Sequence, residues 1–347
     1  MAGLRFESVS AGSLSVSEPV EYNVRDLIIY ALGIGSSDLR YVYEKHPDFA
    51  AFPTFPVVLY YKGTSFDALP FPSPILVASL VFVSGAALCR CFLGWQARYP
   101  TQKTVRGNQL LLRLEPYADP GDSGRAAFPS PPMKNVKVWL DAGVTIERLA
   151  DLPTAGRMKV EGGVASVHRK GKGAFLEKLH ELKDEAGKVY YRMIDASFCV
   201  GATDFEEFGQ QLTTLVQMPK RSPEKRRETK LEERAAMIYR LSGDYNPLHL
   251  DPEFAKTAGF ETPIVHGKCT LGHTARCLLD TLAGGDHRRF RSLALRYSSP
   301  VIPGQTLVVE MWETNAPEEY LFQVLVKETG KVCVSNGRLL LHAASRL

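Results

Sequence analysis

Asp244, Asn246, His249 and Asp251 fall within eight positions of the stretch "YRLSGDYNPLHLDPEFAKTAGF", Tyr239 to Phe260, with Gly243 before them and Pro247 among them. Aspartate and histidine are the side chains most usable as acid and base near neutral pH. A reaction that takes one proton from water and delivers one to carbon needs two such groups side by side. Pro247 prevents a regular helix through the segment and disfavours helical geometry at Asn246, so residues two and five positions apart can converge on one point. Gly243 permits a turn that a side chain would obstruct. The bland alternative is that these are ordinary turn formers, since Asn-Pro and Asp-Pro are common in loops, with His249 holding a neighbouring backbone group.

The next element weighs against that alternative. After "ETPIVHG", Glu261 to Gly267, the run from Ile264 to Gly284 reads as one helix of about five turns. The Gly267 amide then lies in the first turn, unpaired within the helix and at the positive end of its dipole. An amide so placed stabilises a carbonyl oxygen that gains negative charge. Glycine there leaves room for a ligand carbonyl to approach, although a tight turn into a buried helix would also call for it. A proton-transfer pair beside a carbonyl-polarising amide fits addition of water to an α,β-unsaturated acyl thioester.

These residues need elements to hold them. Ser299 to Ala343 is rich in β-branched and aromatic residues in short runs separated by turn signals, the pattern of antiparallel strands. The helix before it is too continuously apolar for a surface helix and calls for a strand layer around it. Upstream, Arg157–Gly187 and Lys188–Gly201 again read as strands joined by Gly-rich turns, in matching order, so a degenerate internal repeat is expected with halves near 20–210 and 230–345. Gln217 to Ala236 is charged and punctuated by proline, then helical by composition, and reads as a linker. The expected division is an N-terminal repeat over 1–216 with an insertion around 60–150, a linker over 217–236 and a catalytic repeat over 237–347.

Composition bounds the alternatives. The 347 residues are 45% hydrophobic and 23% charged, in the globular range, with a net charge of only +4 and both signs interspersed. No nucleic-acid partner is expected. Six cysteines without a C-x-x-C pair or zinc-like spacing point to a reduced setting without disulfides or a metal. The uncharged run Ile75–Cys89 has 15 residues, short of the roughly 20 that a bilayer requires, so no membrane span is expected. The ending Ser345-Arg346-Leu347 resembles the Ser-Lys-Leu peroxisomal address, which would make an import receptor a partner and the peroxisome, or a similar organelle, the location.

At larger scale the chain resembles the hydratase 2, or MaoC-like, family. "YRLSGDYNPLHLDPEFA" fits the family's aromatic, Ser-Gly-Asp-x-Asn-Pro-aliphatic-His signature, "GFETPIVHGKCTLG" continues it, and Tyr22–Val58 and "RYSSPVIPGQTLVVEMWE" are similar to the same family. The resemblance implies an α+β double hotdog, two repeats of an antiparallel sheet wrapped around a long helix. It implies (3R)-specific hydration of trans-2-enoyl-CoA in fatty-acid β-oxidation, with no cofactor. Asp244 and His249 would hold and activate the water, Asn246 would assist, and the Gly267 amide would bind the thioester oxygen. Arg296, Lys170 and Lys172 are cations placed where a CoA phosphate would need partners, and Tyr245 within the motif is grouped with them as a substrate contact. "RGNQ", Arg106 to Gln109, departs from the family's first-repeat pattern. No second Gly-Asp-x-Asn-Pro-x-His occurs, so one active site per chain is expected, with the first repeat shaping the acyl pocket. "GIGSSD", Gly33 to Asp38, lacks the strand-glycine pattern of a dinucleotide fingerprint, so a separate dehydrogenase is expected. A homodimer is open. The rivals are a (3R)-hydroxyacyl-carrier-protein dehydratase of fatty-acid synthesis and a non-catalytic acyl-CoA-binding hotdog.

Overall fold

The computed structural model of the chain describes residues 15–62 and 131–344. The run Ile75–Trp95, the Arg106–Gln109 motif, Cys89 and Cys91, most of the Pro-rich stretch over 115–135 and the Ser345-Arg346-Leu347 ending lie outside them. No helix among the described residues is long and apolar enough to cross a membrane.

Among the described residues ten strands form one sheet in the order β1-β3-β4-β5-β2-β7-β10-β9-β8-β6. The first half comprises β1 (Ser15–Tyr22), β2 (Val138–Arg148), β3 (Gly156–Lys170), β4 (Gly173–Asp184) and β5 (Val189–Val200). The second comprises β6 (Lys225–Lys230), β7 (Phe290–Tyr297), β8 (Thr306–Glu313), β9 (Glu319–Val326) and β10 (Val332–Leu341). Each half has the same internal order, with its second strand innermost, and the halves join antiparallel along β2 and β7, where Gly143 faces Arg296 and Glu147 faces Ser292. Two equivalent sheets meeting at equivalent strands are the double hotdog.

Two stretches differ from expectation. Lys225–Lys230, inside the segment read as a linker, is strand β6, paired with β8 from Lys225↔Met311 to Lys230↔Thr306. Its sequence KRRETK hides it because it is an edge strand with one side in solvent, so the helical composition of 217–236 is realised only in the short helix that follows. Val138–Arg148, within the region read as an insertion, is the central strand β2; the Pro/Gly-rich stretch before it masked the Val144, Ile146 alternation that is fully buried.

Among the described residues there are six α-helices: α1 (Val24–Gly33), α2 (Leu39–Val42), α3 (Leu59–Lys62), α4 (Ala235–Tyr239), α5 (Pro252–Thr257) and α6 (Gly267–Leu282). Asn23 starts α1 with a capping box: its Oδ1 accepts from the Arg25 amide at 2.9 Å and Asp26 accepts from the Asn23 amide at 2.8 Å. The GIGSSD run thus follows a helix and not a strand. Helix α6 has Cys269, Leu271, Ala275, Cys277 and Leu278 fully buried. With Leu27 and Tyr30 of α1, Ile34 just after it, Tyr239 of α4 and the inward faces of both sheet halves they make one core. A smaller apolar cluster, Val164, Val167, Ala174, Leu176, Cys199 and Phe205, sits toward the far ends of β3 to β5. Each large side chain fully buried in such a core stabilises by roughly 1.5–3 kcal/mol.

Candidate active site

The motif folds as a series of broken turns. Gly243 has φ +128° and an added Cβ would stand 2.9 Å from the Lys62 amide, so both the backbone conformation and α3 require glycine. Asn246 caps the single turn Pro247–His249, its Oδ1 accepting from the Leu248 amide at 3.0 Å. Asp244 Oδ1 accepts from the Asn246 amide at 3.3 Å. Asp251 caps α5, accepting from the Glu253 and Phe254 amides at 2.9 and 3.3 Å. Of the four polar residues that opened the sequence reading, Asn246 and Asp251 therefore build turns, and Asp244 and His249 are left facing each other.

A third group completes the set. His266, immediately before α6, donates from Nε2 to the Asp244 carbonyl at 3.1 Å and stacks on His249 with centroids 3.6 Å apart. His249 donates from Nδ1 to the Ile264 carbonyl at 2.8 Å, which leaves its Nε2 as the acceptor nitrogen. Asp244, His249 and His266 each offer an atom within 4.8 Å of the others. Burial, followed by the neighbouring His249, holds the His266 imidazole neutral, well below the ordinary histidine range. Such a donor set matches a divalent cation in type. The two imidazole planes lie 27° apart.

Gly267 is the first residue of α6. The first backbone donors bonded there are Cys269 and Thr270, both to the His266 carbonyl at 3.1 Å, so the Gly267 amide lies ahead of the helical ladder as the sequence predicts. An added Cβ would lie 3.1 Å from both Asp141 Oδ2 and Tyr297 Cζ. The Cα of Gly267 thus lies close against β2 and β7, the two strands that join the halves.

Next to Gly267 is an ionic cluster that sequence reasoning missed. Lys268, with a side chain 4% exposed, pairs with Asp195 at 3.0 Å and lies 3.7 Å from Asp141. Its ammonium donates to Tyr61 Oη at 3.1 Å and lies over the Tyr60 and Tyr61 rings. His180 Nε2 is 3.3 Å from the other Asp195 oxygen. Burial alone would discharge Lys268, but Asp141 and Asp195 hold it charged, well above the ordinary lysine range. Burial likewise pushes the Asp195 carboxyl up, and Lys268, His180 and Lys178 together more than reverse it. The available signal was Lys268 itself: a lysine inside a helix read as buried must find carboxylates.

Tyr245 is buried under the Arg240 guanidinium, 4.8 Å from its ring. Arg296 is exposed on β7, opposite Gly143 and Ser335. Lys170 and Lys172 are at the exposed β3–β4 hairpin, with the Lys170 ammonium 4.4 Å from the centre of the Phe175 ring. The hairpin is on β3, three strand positions or about 14 Å of sheet from β2.

The buried histidines make stability pH-dependent. Burial lowers His180 to about 4, against the opposing pull of Asp195. Because the folded value lies below that of the unfolded chain, the unfolded state binds the extra proton. This contribution is complete above about pH 6.5, is lost as pH falls, and has gone by about pH 4, for roughly 3 kcal/mol. The expected result is a melting temperature that falls steeply between those limits in wild type and less steeply in His180→Gln.

Comparison with known proteins places this arrangement. The family pattern described as MaoC like domain matches residues 214–336, and that described as MFE-2 hydratase 2 N-terminal domain matches 20–74. Over 332 residues the chain is 33% identical to the peroxisomal multifunctional enzyme type 2 of Drosophila melanogaster, covering 93% of this chain and 46% of that protein. It is 29% identical to the probable enoyl-CoA hydratase 2 of Dictyostelium discoideum, covering 92% of each. The crystal structure of a MaoC-like dehydratase from Phytophthora capsici superposes with a TM-score of 0.73 at 33% identity, over 95% of this chain and 96% of that one. The chain spans less than half the length of the multifunctional relatives it matches.

Proposed function

The chain belongs to the MaoC-like hydratase 2 family, and from that premise we propose that it adds water across the C2–C3 double bond of a trans-2-enoyl-CoA to give the (3R)-3-hydroxyacyl-CoA. The observation that carries the proposal is the approach of Asp244, His249 and His266 to within 4.8 Å of one another, with the amide of Gly267, next in the chain after His266, lying ahead of the helical ladder. The amide draws electron density onto the thioester oxygen, which leaves C3 electrophilic. Asp244 and His249 hold the water between them; its oxygen bonds to C3, one of its protons is taken up by the pair, and a proton passes to C2, so that one water is consumed and nothing is released. His249 Nε2 is the proton-accepting atom, since Nδ1 is bound to the Ile264 carbonyl. Asn246 and His266 act by fixing the two reacting side chains. The names of the enoyl-CoA hydratase 2 relatives support the thioester and the (3R) outcome, and the peroxisomal ones support a peroxisomal setting.

The test is loss of the enoyl-thioester absorbance when protein is added to trans-2-decenoyl-CoA, followed by chiral analysis of the product, with and without a chelator. We expect a (3R)-hydroxyacyl product at a rate the chelator leaves unchanged. Loss of activity on chelation would make the Asp244, His249 and His266 set a cation site. Hydration of the carrier-protein thioester alone would point to the fatty-acid-synthesis reaction, and activity on neither thioester to a binding role.

A further inference from the structure

The wall of the site away from solvent is not apolar. Asn246 is exposed, Asp244 and His249 are half-buried, and Lys268, His180 and Asp195 are buried. The highly charged CoA moiety must stay at the solvent end of this gradient, which sends the acyl chain inward, past Gly267, toward the ionic cluster. On the inner face of the first half-sheet that cluster is a band. Lys178 on β4 stands directly opposite Asp195 on β5, and His180 opposite Met193. On one side of the band the face continues into the main core through Leu182, Met193 and Tyr191, and on the other into the small apolar cluster through Leu176, Ala174 and Cys199. An alkyl chain entering here meets charges before it meets hydrocarbon.

Within the band Lys178 differs from its neighbours. Lys268 has two carboxylates and a tyrosine hydroxyl, whereas the Lys178 ammonium has no hydrogen bond or ion pair among the described residues; the Trp139 ring centre is 5.9 Å away and Asp195 stands across the ladder. Burial pulls its proton affinity down, and Asp195 across the ladder opposes this. The two Asp195 oxygens are already engaged, one by Lys268 and the other by His180. A half-buried cation facing the acyl end of a site, with no acceptor of its own, is a place for an oxygen atom of the ligand.

We propose that the acyl chain this site takes is oxygenated: beyond the reacting carbons it carries a carboxylate, hydroxyl or keto oxygen that accepts a hydrogen bond from Lys178. The inference rests on the hydratase reading above and deepens it, with Lys178 as a specificity-determining residue and the Lys268–Asp195–His180 cluster as the scaffold that holds the band polar. A saturated alkyl end would leave the ammonium without a partner, and sites built to hydrogen-bond a substrate group discriminate strongly against analogues that lack it.

The experiment compares kcat/KM for matched trans-2-enoyl-CoAs of increasing length with plain alkyl, terminal hydroxyl and terminal carboxylate ends, in wild type and Lys178→Met. We expect an oxygenated member to exceed its alkyl counterpart by at least about tenfold at the best length, and the ratio to fall toward one in Lys178→Met. A carboxylate preferred over a hydroxyl would show that the charge of Lys178 is used; equal preference would show hydrogen bonding alone. Lys178→Met removes a cation that makes no hydrogen bond among the described residues but lies within electrostatic reach of Asp195, so its melting temperature should fall only slightly; should it fail to fold, the wild-type ratio still decides. Hydration with the alkyl substrates preferred, or a ratio unchanged in the variant, overturns this inference and leaves the hydratase reading intact. No hydration of any substrate by wild type overturns both.

Discussion

An Asp244→Asn protein is expected to fold and melt as wild type does and to hydrate trans-2-decenoyl-CoA on the order of 10³-fold more slowly. The two expectations come from different atoms. The turn is held by Asp244 Oδ1 accepting from the Asn246 amide and by the Asp244 carbonyl accepting from His266, and asparagine can supply both. Only the negative charge and one acceptor oxygen are lost, and those face His249. Because the pair acts as a unit, adding His249→Gln should cost little more than Asp244→Asn alone. Equal activity in wild type and Asp244→Asn, measured at saturating substrate, would remove Asp244 from the reaction.

Lys268→Met carries the largest expected effect on stability, about 3–5 kcal/mol. The methionine fills the space, but Asp195, buried between β4 and β2, loses its closest cation. Lys178 is within electrostatic reach of Asp195, which should keep the loss near the lower bound. Adding Asp195→Asn removes the stranded charge and should recover most of the stability, the non-additivity expected of contacting residues. Denaturant unfolding of the four proteins in this cycle measures it; strictly additive losses would mean that the two residues do not act as a pair. The cycle also reports on the joint between the halves, because Lys268 belongs to the second half and Asp195 to the first.

What the sequence made legible was local. Asp244, Asn246 and His249 could be read because glycine, proline and asparagine dictate turn geometry within a few residues, and Gly267 because a helix start exposes its amide wherever the helix is packed. The repeat was legible for the same reason: strands and turns recur in one order. The partners of Lys268 were not, since Asp141 and Asp195 are 127 and 73 residues away and reach it only through the pairing of β2 with β5 and β7. His266 was quoted as part of a connecting stretch, and its stacking on His249 depends on how α5 returns the chain to α6. Strand β6 escaped because period-2 burial vanishes where almost every side chain is charged. The cations proposed for CoA rest on their place in the resemblance, and local sequence does not fix how far they stand from Asp244.

The ends of the ladder have a consequence for how the protein behaves in a crowded solution. A sheet that stops exposes a row of unpaired amides and carbonyls to which another chain can add. Here one end is β1, interrupted by Pro19, and the other is β6, in which five of six residues are charged. Proline removes a donor and the charges resist desolvation, so both ends discourage edge-to-edge growth, while the seam at β2 and β7 is sealed inside the chain. A substitution that neutralises Arg226, Glu228 and Lys230 together would be expected to leave the site untouched and to shorten the time the purified protein stays in solution, a change visible as light scattering with no change in initial rate.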